Sequence, residues 1–138
     1  MYDELLVAPM RAELTRIGVE ELRDGAAVER WMGQSTGSAL LFVNSVCGCA
    51  AGMARPGLAM ALQGETRPDR VASVFAGQDR EATTAARTHF GDLPPSSPSA
   101  ALFKDGKLVF FLPRHAIEGR EAAVVAADLS AAFARFCA

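Results

Sequence analysis

A chain of 138 residues, half of them hydrophobic and 22% charged, has the size and balance of one folded domain and is not a disordered segment. Its net charge of -2 offers no basic surface for nucleic acid, which is bound through clustered Lys and Arg, and its longest apolar runs, such as Ala39 to Val43, are too short to span a bilayer. The acidic start Met1-Tyr2-Asp3-Glu4 is unlike a secretory leader, so neither nucleic acid nor membrane is expected as a partner, and the cytoplasm is the expected compartment.

In chain order, Leu6, Met10, Leu14 and Ile17 recur at three or four residues and predict a helix over 3–17, with Pro9 as a first-turn residue or a local break and Gly18 as the stop. Val19 to Leu22 reads as a short strand. Asp24 is placed to cap a second helix that buries Val28, Trp31 and Met32. After a loop over 33–37, Ser38 to Val46 carries the continuous apolar stretch of a strand covered on both faces. Cys47-Gly48-Cys49 ends that strand. A helix follows over 50–63, with Met53, Met60 and Leu62 as core contacts and a kink expected at Pro56. Val71 to Phe75 is the next buried strand, and Asp79 is placed to cap a helix to about Phe90. Asp92 to Pro98, interrupted by prolines, is a loop. Ser99 to Lys104 and Lys107 to Leu112 flank Asp105-Gly106, a strong hairpin signal. The last helix runs from about Glu118 to Phe136 with Val125, Leu129, Ala132 and Phe136 as its apolar stripe. This order, α-β-α-β-α-β-α-β-β-α, predicts an α/β fold: a central mixed β-sheet flanked by helices on both faces, as a single domain over 1–138.

The chemistry concentrates at the cysteines. There are three, an odd number, and Cys47 and Cys49 are separated by one glycine. Close thiols in a reducing compartment are redox-active or metal-binding more often than structural. Cys47 stands where a buried strand gives way to a helix, at the sheet edge where open α/β sheets place their ligands. Unpaired backbone N–H groups there favour thiolate, the attacking species in disulfide exchange. Cys49 is near enough to act as the resolving thiol, and Gly48 gives the small ring its freedom.

Three blocks carry a resemblance: Val43-Asn-Ser-Val-Cys-Gly-Cys-Ala-Ala-Gly-Met-Ala-Arg-Pro-Gly57, Pro94-Pro-Ser-Ser-Pro-Ser99 and Pro113-Arg-His-Ala-Ile-Glu-Gly119. They resemble the bacilliredoxins, and the element order and the C-terminal cysteine extend the similarity over nearly the whole chain. The resemblance implies a thioredoxin-like fold and a thiol–disulfide oxidoreductase that removes bacillithiol, a low-molecular-weight thiol, from S-bacillithiolated proteins. It makes Cys47 the nucleophile and Cys49 the resolving thiol. It puts Pro98 where thioredoxin-like proteins carry a cis-proline, with Ser97 offering its backbone to an extended substrate. No bound cofactor is implied; bacillithiol is the co-substrate, and a disulfide reductase is needed for recycling. The one-residue spacing departs from thioredoxins, which have two residues between their cysteines.

Other readings stay open beside this one. The chain can be a general protein disulfide isomerase or reductase. The Cys-x-Cys pair can hold a soft metal with Cys137 or a histidine, although no second ligand pair stands at the right spacing and no metal site is assigned. A cysteine hydrolase needs a histidine base that the sequence does not place, and a non-enzymatic binding module is a further option. Arg55 is either a thiolate-stabilising group or a solvated surface residue. Asn44 and Ser45 are expected to satisfy the backbone of the turn. His89 reads as filler, and His115 stands between capping the last helix and shaping the substrate surface. Cys137 stands between an incidental thiol and a redox group.

Overall fold

The computed structural model describes all residues from Met1 to Ala138. Helix α1 (Glu4–Thr15) leads to a two-residue strand β1 (Glu20–Glu21), α2 (Gly25–Met32) and β2 (Ser38–Asn44). A π-helical turn (Ala50–Ala54) runs into α3 (Arg55–Ala61), followed by β3 (Arg70–Phe75) and α4 (Arg80–Arg87). The hairpin β4 (Ser99–Lys104) and β5 (Lys107–Leu112) and the helix α5 (Ala122–Phe136) complete the chain. The sheet has the order β1-β3-β2-β4-β5. β1 and β2 run parallel to β3, β4 runs antiparallel to β2, and β5 antiparallel to β4. This is the mixed, two-faced sheet that the element order predicts. No helix is long and apolar enough to cross a membrane.

β2 shows how sequence becomes layers. Every residue from Ser38 to Asn44 is buried. Successive side chains on a strand point to opposite faces. Leu40 and Phe42 accordingly join Leu14 of α1, Leu58 of α3 and Phe133 of α5 in one core, while Leu41 and Val43 join Val28 and Trp31 of α2 and Ala86 of α4 in the other. Both cores grip the central strand, so its carboxyl end, where the cysteines follow, is held from two sides. Asp105 and Gly106 both have positive φ, as a tight hairpin turn requires, and Gly18 ends α1 at φ 89°.

Several local expectations are corrected. Pro9 lies inside α1, which neither starts nor breaks there; the carbonyl it deprives belongs to Leu5, an exposed residue that water can serve. Asp79 makes no side-chain cap on α4, because its carboxylate is taken by Arg11, at 2.6 Å. Met60 is exposed. The last helix begins at Ala122, after a 3-10 turn over Arg114–Ala116 and a positive-φ Gly119, and its stripe includes the fully buried Phe133 that the periodicity passed over. Pro56 acts through the turn before it. It cannot donate to the carbonyl four residues back, and the chain widens instead, with the Arg55 N–H bonded to Ala50 O, five residues back.

Candidate active site

The site is built at the carboxyl end of β2. Val43 pairs with Ser99 of β4, so the chain leaving β2 toward Cys47 lies at the same end of the sheet as Ser97 and Pro98, which lead into β4. The Ser97–Pro98 peptide bond is cis. The tertiary fold thus brings together two segments that are fifty residues apart in sequence.

Below the cysteines a set of hydrogen bonds holds the turn. Asn44 Oδ1 accepts the Ser45 N–H at 2.9 Å, and Ser45 Oγ accepts the Cys47 N–H at 3.1 Å. The Cys47 carbonyl accepts from the N–H groups of Ala50 and Ala51. Arg55 lies beneath, 3% exposed. It donates to Asn44 Oδ1 at 3.0 Å, to the Ser45 carbonyl at 2.8 Å and to Glu13 at 3.0 Å. The reading of Arg55 as a solvated surface group is overturned: the π turn carries it inward, and its donors are directed at the backbone and side chains that shape the turn. Asn44 and Ser45 satisfy the turn's backbone, as their residue types suggested.

The two thiols are free and their sulfurs are 2.7 Å apart. Their environments separate them. At Cys47 burial disfavours the thiolate, but hydrogen bonds from the Cys49 thiol, the Ser45 hydroxyl and the Ala50 N–H, with the charge of Arg114, outweigh it and hold the thiol below its ordinary range. At Cys49 burial, reinforced by its hydrogen bond to Cys47 and by the charge there, pushes the thiol up. Cys49 is only 7% exposed, whereas Cys47 is half-buried. The more accessible sulfur is therefore the one shifted toward thiolate, and the buried one is shifted toward thiol. Such a pair can attack a disulfide through Cys47 and keep Cys49 protonated in reserve.

Arg114 is the cation that sequence reasoning missed. It stands in the third of the quoted blocks, but no spacing rule connects it to residues so far upstream. Its N–H donates to Ser96 Oγ at 2.7 Å, its Nη1 lies 3.4 Å from the Ser97 carbonyl, and its Nε pairs with Glu118 at 2.7 Å. Beyond it opens a groove of about 530 Å³ between the loop of Ser96 and Ser97 and the turn of Arg114 and His115. His115 lines this groove, while His89 pairs with Glu29 at 3.0 Å on the α2–α4 face. Cys137 packs against the α5 core and lies beside Ser38, at the opposite end of β2 from the active turn; burial pushes its thiol up. A strand of that length is about 20 Å, which removes Cys137 from any direct exchange with Cys47. No group of three or more His, Cys, Asp and Glu side chains gathers at metal-binding distance.

With this geometry in place, the likenesses to known proteins have a physical meaning. A family model described as disulphide isomerase matches residues 2–137. A bacilliredoxin of Shouchella clausii is 48% identical over 136 residues, covering 99% of this chain and 94% of its own. One of Geobacillus kaustophilus is 50% identical over 137 residues, again covering 99% of this chain and 94% of its own. This chain belongs to the bacilliredoxin family. Thioredoxins share its fold at much lower identity: that of Schistosoma mansoni superposes with a TM-score of 0.58 at 14% identity, over 86% of this chain and 97% of the other. Mitochondrial thioredoxin 3 of Saccharomyces cerevisiae gives 0.58 at 17%, over 89% and 98%. The bacilliredoxin fold is therefore thioredoxin-like, and the chain is a thiol–disulfide oxidoreductase, with thiols and redox-active proteins as its partners in general.

Proposed function

We propose that this bacilliredoxin removes bacillithiol from S-bacillithiolated proteins, with Cys47 as nucleophile. The observation that carries the proposal is the divided pair: one accessible sulfur held toward thiolate, and one buried sulfur held as thiol 2.7 Å away. The Cys47 thiolate attacks the bacillithiol sulfur of the mixed disulfide. The bond to the protein sulfur breaks, and the protein leaves as a thiolate that takes a proton from water. Bacillithiol stays on Cys47 as a new disulfide. Cys49 then loses its proton and attacks Cys47 Sγ, releasing bacillithiol and leaving a Cys47–Cys49 disulfide. Alternatively a second bacillithiol attacks the bound one, leaving as the oxidised dimer. The two electrons come from the dithiol in the first route and from bacillithiol in the second, so a disulfide reductase must return them. Ser97 and Pro98, at the same sheet end, would present backbone to the substrate chain as an added strand.

Mass spectrometry of wild type and Cys49→Ala after incubation with oxidised bacillithiol, and separately with oxidised glutathione, tests this. A bacillithiol adduct on Cys47, formed faster than the glutathione adduct and persistent in Cys49→Ala, is the expected result. Cys47→Ala abolishes exchange, and Cys49→Ala retains exchange with the small thiol. Equal and complete loss in both variants would overturn the route through a second bacillithiol. No Cys47 adduct in folded, reduced protein would overturn the reading altogether.

A further inference from the structure

Resting on that exchange reading, we propose that the groove between Ser96–Ser97 and Arg114–Glu118 is an anion subsite that takes the carboxylate of a small acidic thiol while its sulfur lies at Cys47. Arg87, at the end of α4, lines one wall of the groove with its Nε buried and without any hydrogen-bond partner, the one such side-chain atom in the protein. No carboxylate pairs with it, and burial, the sole influence on it, pushes its guanidinium down. A buried donor without a partner is uncommon in a native structure and points to a missing ligand. Arg114 forms part of the other wall and is paired with Glu118. Two guanidinium groups thus face one carboxylate, which leaves one positive charge uncompensated. His115 and the Ser96 hydroxyl lie along the same groove and add polar contacts.

The class of ligand follows from these groups. A guanidinium fork matches a carboxylate in plane and in charge. A space of about 530 Å³ lies within the range of small-molecule sites. Arg114 joins the groove to the chemistry, because the charge that lines it is the one that favours thiolate at Cys47. A ligand held by its carboxylate at Arg87 would extend along the groove past Arg114, the side that the thiols share.

The test uses three symmetric disulfides of similar size: dianionic dithiodipropionate, neutral hydroxyethyl disulfide and dicationic cystamine. The rate of Cys47 adduct formation is read by mass spectrometry on the full reduced chain. The dianion should react fastest and the dication slowest. In Arg87→Gln the ratio of dianion to neutral rates should fall about tenfold, as expected for one lost charge-assisted hydrogen bond. An unchanged ratio overturns the subsite while leaving exchange at Cys47 intact. Arg87 dependence seen only with an acidic peptide joined to a neutral thiol overturns the small-thiol assignment. A second measurement needs no exchange: binding of the unreactive thioether methylthiopropionate, followed at the Arg87 Nε–H signal by nuclear magnetic resonance. A shift with the acid and none with its neutral amide supports the subsite even if no adduct forms, and equal or absent shifts overturn it.

Discussion

The floor beneath the cysteine turn and the groove beside it are both built around an arginine withdrawn from water, and they differ in what meets it. Under the turn, Arg55 finds Asn44, Ser45 and Glu13. In the groove, Arg87 Nε finds nothing. A buried cation that bonds three groups of its surroundings fixes a shape, whereas one left without partners has a recognition capacity that the protein itself does not use. The difference separates the residues that hold the reactive turn in place from those available to a ligand, although all of them lie at or near the same end of the molecule.

Stability measurements break this comparison most directly. Arg55→Met should cost about 2–3 kcal/mol in urea unfolding: the Ser45 carbonyl loses a donor in the interior, while the half-exposed Glu13 recovers water and softens the loss. Arg87→Met removes a donor that has no partner, and should leave stability unchanged or raise it by up to about 1 kcal/mol. Equal losses in the two variants would mean that Arg87 is as structural as Arg55. Gly57→Ala examines the same floor from the side. A Cβ there would meet the Val125 side chain at 2.8 Å, where α3 and α5 approach closely, and the overpacking should cost about 1–3 kcal/mol.

The smaller effects concern the thiols. Cys47 is held below its ordinary range, so its alkylation by iodoacetamide should stay fast to lower pH than that of a free thiol and fall only as the pH drops through the lowered value. Cys49→Ala removes a hydrogen bond to that sulfur, and the midpoint of the pH–rate curve should move up. Arg114→Gln should move it the same way by less, because this side chain is exposed and its field is screened; the difference from wild type should shrink in high salt. A midpoint unmoved by Cys49→Ala would remove the thiol–thiolate division from the account of the site.

Much of this protein could be read from local sequence. The continuous apolar run across Leu40 to Val43, the Asp105-Gly106 turn, the Gly18 stop and the placement of the Cys47-Gly48-Cys49 run after a buried strand are short-range features of residue type and backbone sterics, and they led to the element order and the expected position of the chemistry. The exchanges of partner were not legible in this way. Asp79 carries the residue type of a helix cap but is claimed by Arg11 from another element. Arg55 reads as a surface residue until the π turn before Pro56 carries it inward. Arg114 acts on thiols that precede it by more than sixty residues, and Arg87 meets the same groove from a different helix. Charge–charge and hydrogen-bond partners are set by distance in space, and for residues on separate elements only the packing of both sheet faces decides that distance. The sequence alone placed two thiols at the end of a buried strand; the tertiary structure decided which of them is shifted toward thiolate and which arginines stand beside them.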